Sequence, residues 1–258
     1  MGESSQFPEG ATLIFGATGG IGAAVAGEFA AAGSDIAIAW RSKQAEAAAR
    51  AERIEARARK ASLHQCDVTD DAAMAPAIAS AVAAHGRIHT MLWGAGPLVA
   101  QVHLAETTPE QWRGAIDVEV HGFFGAVHRI LPHMRAQGGG SFVHLGSAGD
   151  LRWPDKDGLS VAPKAANEAL VRGIAREEGK HGIRANSILV GVIEAGMFLE
   201  LSKQGVFDDA WTAEVHKNLA LKRWGRPEEI GHAAVFLASS KAAYITGQQI
   251  AVAAGYGV

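Results

Sequence analysis

Thr12-Leu13-Ile14-Phe15-Gly16-Ala17-Thr18-Gly19-Gly20-Ile21-Gly22 is the stretch on which the reading of this chain turns. Leu13 to Phe15 is a short apolar run and reads as a buried strand, while Ala23 to Ala32 reads as a helix with Ile21, Val25 and Phe29 on one face. Glycine belongs where the backbone turns sharply and must approach a ligand with no Cβ in the way. The helix that follows offers unpaired N–H groups and the positive end of its dipole, which suit a pyrophosphate. Strand, glycine turn and helix in this order form the cradle of a dinucleotide-binding βαβ unit.

Outward from that turn, short apolar runs alternate with helical segments. Asp35 to Trp40, Leu63 to Val68, His89 to Trp93, Ser141 to Leu145, Arg184 to Val190 and Gln249 to Ala253 read as strands. Helices are expected over Lys43 to Lys60, Ala72 to His85, Arg113 to about Ala136 with a bend or end near Pro132, Ala165 to Glu178, and Pro227 to Ala238. Thr108-Pro109-Glu110-Gln111 is a helix start with Thr as N-cap, Pro at the first position and Gln three residues on. This rhythm predicts an α/β fold: one Rossmann-type, doubly wound parallel sheet of about seven strands with helices on both faces. The whole of 1–258 reads as one domain, with 1–10 a loose polar leader and 195–218 a mobile excursion carrying Met197, Phe198, Leu201, Phe207 and Trp211.

The composition fits a globular enzyme. The chain has 258 residues, 48% of them hydrophobic and 20% charged, with a formal net charge of −3. Charges are interspersed, without the basic stripe of a nucleic-acid surface. A single cysteine, Cys66, excludes an internal disulfide and fits a reducing compartment. No charged n-region followed by an apolar h-region opens the sequence and no apolar run reaches membrane-spanning length, so a cytoplasmic protein is expected, with neither nucleic acid nor membrane as partner. No histidine pair has ligand spacing with a matching carboxylate, and no metal is expected.

The spacing Gly16, Gly20, Gly22 resembles the T-G-x-x-x-G-[IL]-G fingerprint of the short-chain dehydrogenase/reductase family, with Phe15 where Thr is usual. The likeness runs through most of the chain. Asp67, in Cys66-Asp67-Val68, stands where the family has an Asp that contacts adenine. Gly94-Ala95-Gly96 resembles the end of its N-N-A-G turn, with Trp93 and Gly94 replacing both asparagines. Arg223-Trp224-Gly225-Arg226-Pro227-Glu228-Glu229-Ile230, followed by Tyr244-Ile245-Thr246-Gly247-Gln248, is very like the family's C-terminal signature.

The resemblance implies a nicotinamide coenzyme held by Gly16, Thr18, Gly19, Gly20, Ile21, Gly22, Cys66, Asp67, Val68, Gly94, Ala95, Gly96, Lys164, Gly191 and Ile193. In Val190-Gly191-Val192-Ile193, Val190 replaces the family's Pro in the loop beside the nicotinamide. The end of the second strand bears on the choice of coenzyme. An acid there would repel a 2′-phosphate. Here Trp40 takes that place, and Arg41 and Ser42 offer a forked cation and a hydroxyl, so NADP(H) is favoured over NAD(H).

The family's catalytic Ser, Tyr and Lys, with an upstream Asn, are only half kept. Ser147 falls at the serine position; thirteen residues on stands Ser160 rather than Tyr, and seventeen on stands Lys164. Glu119 fills the asparagine position. The only tyrosines, Tyr244 and Tyr256, are C-terminal and have no assignable role. A positioned proton donor is worth roughly 10²–10⁴-fold, and a serine hydroxyl is a poor one. Ser147 and Ser160 could instead hydrogen-bond a developing oxyanion, with Lys164 supplying charge and Glu119 pairing with Lys164 or feeding protons inward. The other ionisable groups near the expected pocket are His121, His144, Asp150, Asp155 and Asp157. His144 is expected in the core, and Asp155 to Asp157 in a solvent-facing loop.

The activity expected is hydride transfer between NADP(H) and a ketone, alcohol or conjugated enone of an apolar small molecule. Two alternatives stay open: a coenzyme-binding sensor or partner subunit without turnover, and a lyase or isomerase using Glu119 or Asp157 as base. Family members associate through the long helices near 113–136 and 165–178, which implies a homodimer or homotetramer.

Overall fold

The structure, a computed structural model, describes residues 6–258. Its strands are β1 (Ala11–Phe15), β2 (Asp35–Trp40), β3 (Ala61–Gln65), β4 (Ile88–Trp93), β5 (Gly140–Ser147), β6 (Ile183–Val190) and β7 (Gln249–Val252). They form one seven-stranded sheet in the order β3-β2-β1-β4-β5-β6-β7. Every pairing is parallel. The helices are α1 (Gly20–Ala31), α2 (Gln44–Glu55), α3 (Asp71–His85), α4 (Pro109–Ile116) and α5 (Gly122–Ala136). They continue with α6 (Gly158–Glu178), α7 (Met197–Lys203), α8 (Asp209–Lys217) and α9 (Pro227–Ala238).

All five residues of β1 are buried, and successive side chains serve opposite faces of the sheet. Leu13 and Phe15 join Met91, Trp93 and Phe142 beneath α3, α5 and α6. Ile14 joins Ile36, Ile38 and Leu92 beneath α1, α2 and α9. Both faces are covered, which is why these strands read as continuous apolar runs. On the first face a row of rings, Phe15–Trp93, Trp93–Phe123 and Phe123–His144, has centroids 5.1, 5.5 and 5.3 Å apart and leads toward the carboxyl ends of β4 and β5.

Chain order reverses between β1 and β4, which opens a crevice at the carboxyl ends of those two strands. The turn after β1 and the turn after β4 meet there. Gly94 N–H donates to Phe15 O at 3.0 Å, and a Cβ on Gly16 would overlap the Gly94 carbonyl. Gly16 also has φ +91°, a conformation that favours glycine.

Several boundaries differ from the sequence reading. β3 ends at Gln65, so Cys66 to Val68 lie in the loop beyond it. The helix expected from Arg113 starts at Pro109, under the Thr108–Gln111 capping box, and runs through a π turn at Asp117–His121 into α5. Pro132 lies inside α5 on its exposed side and neither ends it nor opens it to the core. α6 begins at Gly158, well before the expected Ala165, and therefore carries both Ser160 and Lys164.

The described part of the leader is anchored: Phe7 is buried, with its ring centroid 5.6 Å from that of Phe29 and 5.0 Å from that of His89. The excursion over 195–218 contains α7 and α8; Phe198, Trp211 and Phe207, which lies between the two helices, pack ring against ring, and Phe198 and Trp211 also meet Trp224. Among the described residues no helix is long and apolar enough to cross a membrane.

Candidate active site

The residues expected to hold a coenzyme begin at α1. Its N-cap is Gly19, which has no side chain to cap the helix, so the first-turn N–H groups stay open to a ligand. A Cβ on Gly22 would collide with the Gly16 carbonyl, and one on Gly20 would lie 2.5 Å from Gly196 N. Thr18 and Ile21 are half-buried beside these glycines. A cradle that any side chain would fill, closed by backbone N–H groups, fits a diphosphate.

At the end of β2, Cys66 N–H donates to Trp40 O at 2.8 Å, drawing the ends of β2 and β3 together. The Trp40 indole Nε1 is buried without a hydrogen-bond partner. Arg41 and Ser42 are exposed at the same edge. Asp67 accepts from Thr69 N–H at 3.0 Å and from its hydroxyl at 2.7 Å, which holds its carboxyl below the ordinary range, with Arg41 adding to the effect. The Cys66 side chain is in the core, and burial with Asp67 and Asp70 nearby pushes its thiol up to about 11, so it is inert. Val68 packs against the same core cluster.

Opposite, Gly191 N–H donates to Val252 O at 3.1 Å, and a Cβ on Gly191 would lie 2.7 Å from Ala253 Cα. Ile193 is buried and bridges to Gly225, which ties the loop after β6 to the Arg223–Ile230 signature.

The residues expected to react come from β5, α6 and the π turn. Glu119 lies in that turn, 1% exposed, with its carboxylate directly against Lys164 Nζ. Asn167 Nδ2 donates to the Glu119 backbone carbonyl at 2.9 Å, fixing the turn to α6. Gly96 closes the arrangement: a Cβ there would lie 2.6 Å from Glu119 Oε1 and 3.8 Å from Lys164 Nζ. Ala95 packs against the core beside it. Ser160 is buried one turn before Lys164. Ser147, at the end of β5, accepts from Gly149 N–H at 3.1 Å.

The structure also places Glu168, Ser187 and Gln249, which the sequence alone left unassigned, around the expected core residue His144. His144 is fully buried, and its Nδ1 lies 3.0 Å from Glu168 Oε1 and 3.1 Å from Ser187 Oγ. Gln249 Nε2 donates to Glu168 Oε2 at 3.0 Å. Burial pushes the Glu168 carboxyl up, but hydrogen bonds from His144, Ser187 and Gln249 outweigh it and hold the group below its ordinary value. Asn167 and Glu168 stand three and four residues after Lys164, so helical periodicity counted from the lysine would have found them. His121 is exposed and pairs with Asp117 at 2.9 Å.

Asp155 and Lys156 are exposed, as expected, but Asp157 is not part of that surface. Its Oδ1 accepts from Gln101 Nε2 at 3.0 Å, and burial pushes its carboxyl up. Tyr256 returns from the C-terminus to the same region; burial raises its phenol pKa, and Arg152 and Asp157 both lie within electrostatic range of it.

A single seven-stranded parallel sheet with a glycine cradle at its switch point and a lysine on α6 defines a Rossmann-type α/β protein. A family model described as enoyl-(acyl carrier protein) reductase matches residues 16–257. Galactitol 2-dehydrogenase (L-tagatose-forming) of Cereibacter sphaeroides is 34% identical, over 95% of this chain and 94% of its own. A short-chain type dehydrogenase/reductase from Mycobacterium ulcerans superposes with a TM-score of 0.91 at 27% identity, covering 98% of this chain and 91% of its own. A blue fluorescent protein from a metagenomic library, solved in complex with NADPH, superposes with a TM-score of 0.87 at 28% identity, covering 97% and 99%. The chain belongs to the short-chain dehydrogenase/reductase family.

Proposed function

We propose that the chain is an NADP(H)-dependent oxidoreductase acting on a carbonyl, alcohol or conjugated enone of an apolar small molecule, with a divergent reacting centre. The observation that carries this reading is the convergence of the Gly16–Gly22 cradle, Gly96 and Lys164 on one crevice. A nicotinamide coenzyme bound there supplies a hydride donor or acceptor.

The chain's own groups do the rest. The first turn of α1 holds the diphosphate, Asp67 and Val68 flank the adenine, and Arg41 with Ser42 receives a 2′-phosphate. Gly191 and Ile193 border the nicotinamide. Ser147 and Ser160 donate hydrogen bonds to the substrate oxygen as charge develops on it. Lys164 orients the nicotinamide ribose, and Glu119 fixes the lysine and balances its charge. Aromatic and aliphatic side chains of α7 and α8 lie over the apolar part of the substrate. Close-packed association through α4–α5 and α6 gives a homodimer or homotetramer in the cytoplasm.

Absorbance of the reduced nicotinamide, followed with a panel of ketones and enones, tests the reading: consumption that depends on substrate is expected, and silence across both classes removes it. The Glu119–Lys164 contact favours one rival, a coenzyme-binding subunit without turnover, because the ammonium is already neutralised. Tight NADPH binding with no consumption by any substrate would select that rival.

A further inference from the structure

The residue at the family's tyrosine position is Ser160, and Lys164, which would lower the pKa of a neighbouring acid, is engaged by Glu119. The crevice therefore has no strong proton donor at the usual place. A donor must lie on the substrate side of α6, must hold a proton near neutral pH, and must regain it from water.

Asp157 is the carboxyl that position offers for this role. It precedes α6, and its backbone carbonyl accepts from Ser160 N–H and Val161 N–H at 3.0 Å each, so it is locked to the turn that carries Ser160. Residues 157, 160 and 164 follow one face of the helix, at spacings of three and four. Its side chain is tied across the crevice to Gln101, in the loop after β4 that also carries Gly96. Among the described residues its second oxygen, Oδ2, takes no hydrogen bond. Asp157 is half-buried, so solvent reaches it. We propose that Asp157 is the general acid of this enzyme, occupying chemically the place left by the missing tyrosine.

The inference rests on the oxidoreductase reading. In the reducing direction the substrate's carbonyl carbon gains hydrogen with its electron pair from the reduced nicotinamide, which is thereby oxidised. The Asp157 O–H breaks, an O–H bond forms on the substrate oxygen, and the carboxylate left behind is reprotonated by water. Ser147 and Ser160 hold the oxygen during the transfer. Alcohol oxidation runs the same steps backward, with Asp157 as base.

The surroundings favour the protonated form of the Asp157 carboxyl. Burial raises its pKa, and the Gln101 hydrogen bond and the Lys164 charge only partly offset this. Tyr256, from the C-terminal segment, lies within electrostatic range of both Asp157 and Arg152, and the neighbouring Asp155 is paired with His103 at 3.5 Å. Glu119 holds Lys164, which limits how far the lysine can pull the Asp157 carboxyl down.

The test uses the full-length chain with Asp157→Ala and Asp157→Glu, and two readouts. In the first, the coenzyme-free protein labelled with ¹³C at aspartate Cγ is titrated by NMR. One resonance should titrate above the ordinary aspartate range and be missing in Asp157→Ala. In the second, the pH profile of carbonyl reduction should decline at high pH in the parent. Asp157→Ala should lower kcat about 10²-fold or more and flatten that decline, with the Kd for NADPH unchanged, while Asp157→Glu restores part of the rate. An ordinary Asp157 titration, or equal profiles for parent and Asp157→Ala, overturns the inference alone. If the parent reduces no ketone or enone, the oxidoreductase reading falls and takes this inference with it.

Discussion

Glu119 Oε1 lies directly against Lys164 Nζ, with the glutamate side chain 2% exposed and the lysine side chain 16% exposed. The π turn that carries Glu119 is fixed from behind by Asn167, so the pair is held by the frame of the fold as well as by its own attraction. A buried pair of this kind is costly to break on one side, because the remaining charge keeps its desolvation penalty without its partner.

Lys164→Ala should therefore lower unfolding free energy by about 3–5 kcal/mol, and Glu119→Leu combined with Lys164→Met should cost less than the single change. Urea denaturation of the parent, the single and the double variant measures this. Equal or additive losses would show that the two groups are not coupled.

Gly22 is fixed by the Gly16 carbonyl and Gly20 by the approach of Gly196. Replacement by alanine must displace backbone in both cases. Gly22→Ala should abolish NADPH binding and lower the melting temperature, and Gly20→Ala should weaken binding at least 10-fold. Fluorescence titration with differential scanning checks both. Retained affinity in Gly22→Ala would contradict the cradle.

Arg41 is exposed at the end of β2, where a 2′-phosphate would arrive. A charge-assisted hydrogen bond contributes about 1.5–3 kcal/mol, so Arg41→Ala should lose roughly 10- to 100-fold in NADPH affinity and leave NADH binding nearly unchanged. Dissociation constants for both coenzymes decide it. A parallel loss for the two would remove the 2′-phosphate assignment.

Glu168 is buried, and its carboxyl is held below the ordinary value of 4.5. A depressed folded-state pKa contributes stability that is fully present above the unfolded value and is lost as pH falls through the folded one. Parent stability should therefore drop progressively below about pH 4.5. Glu168→Gln should be less stable at pH 7 and should lose less on acidification. Unfolding curves between pH 7 and pH 3 test this. A pH dependence identical in the two proteins would dismiss the assignment.

Much of this architecture was legible in the residues. The alternation of apolar runs with helices, the glycine turn and the Thr108 capping box all rest on local rules, and the structure follows them. What was hidden depends on distant partners. The first turns of α6, Gly158-Leu159-Ser160-Val161-Ala162-Pro163, are poor helix formers and become helical only because Gly158, Leu159, Ser160, Val161 and Pro163 are buried against the rest of the fold. Asp157 accordingly stands at the N-cap of that helix and meets Gln101, where local rules place it in a solvent-facing loop. The π turn at Glu119 has no sequence signature, since it is set by Asn167 and Lys164 reaching over from α6. Trp224 joins the aromatic stack of α7 and α8 from outside the excursion, a contact that spacing along the chain does not reveal.

Titration calorimetry with NADPH and NADH, on the full-length chain at neutral pH, tests the central claim most directly. Saturable uptake of NADPH at one site per chain, tighter than NADH and lost in Gly22→Ala, is the expected result. No heat with either coenzyme would contradict the assignment of the crevice, and every catalytic role built on it.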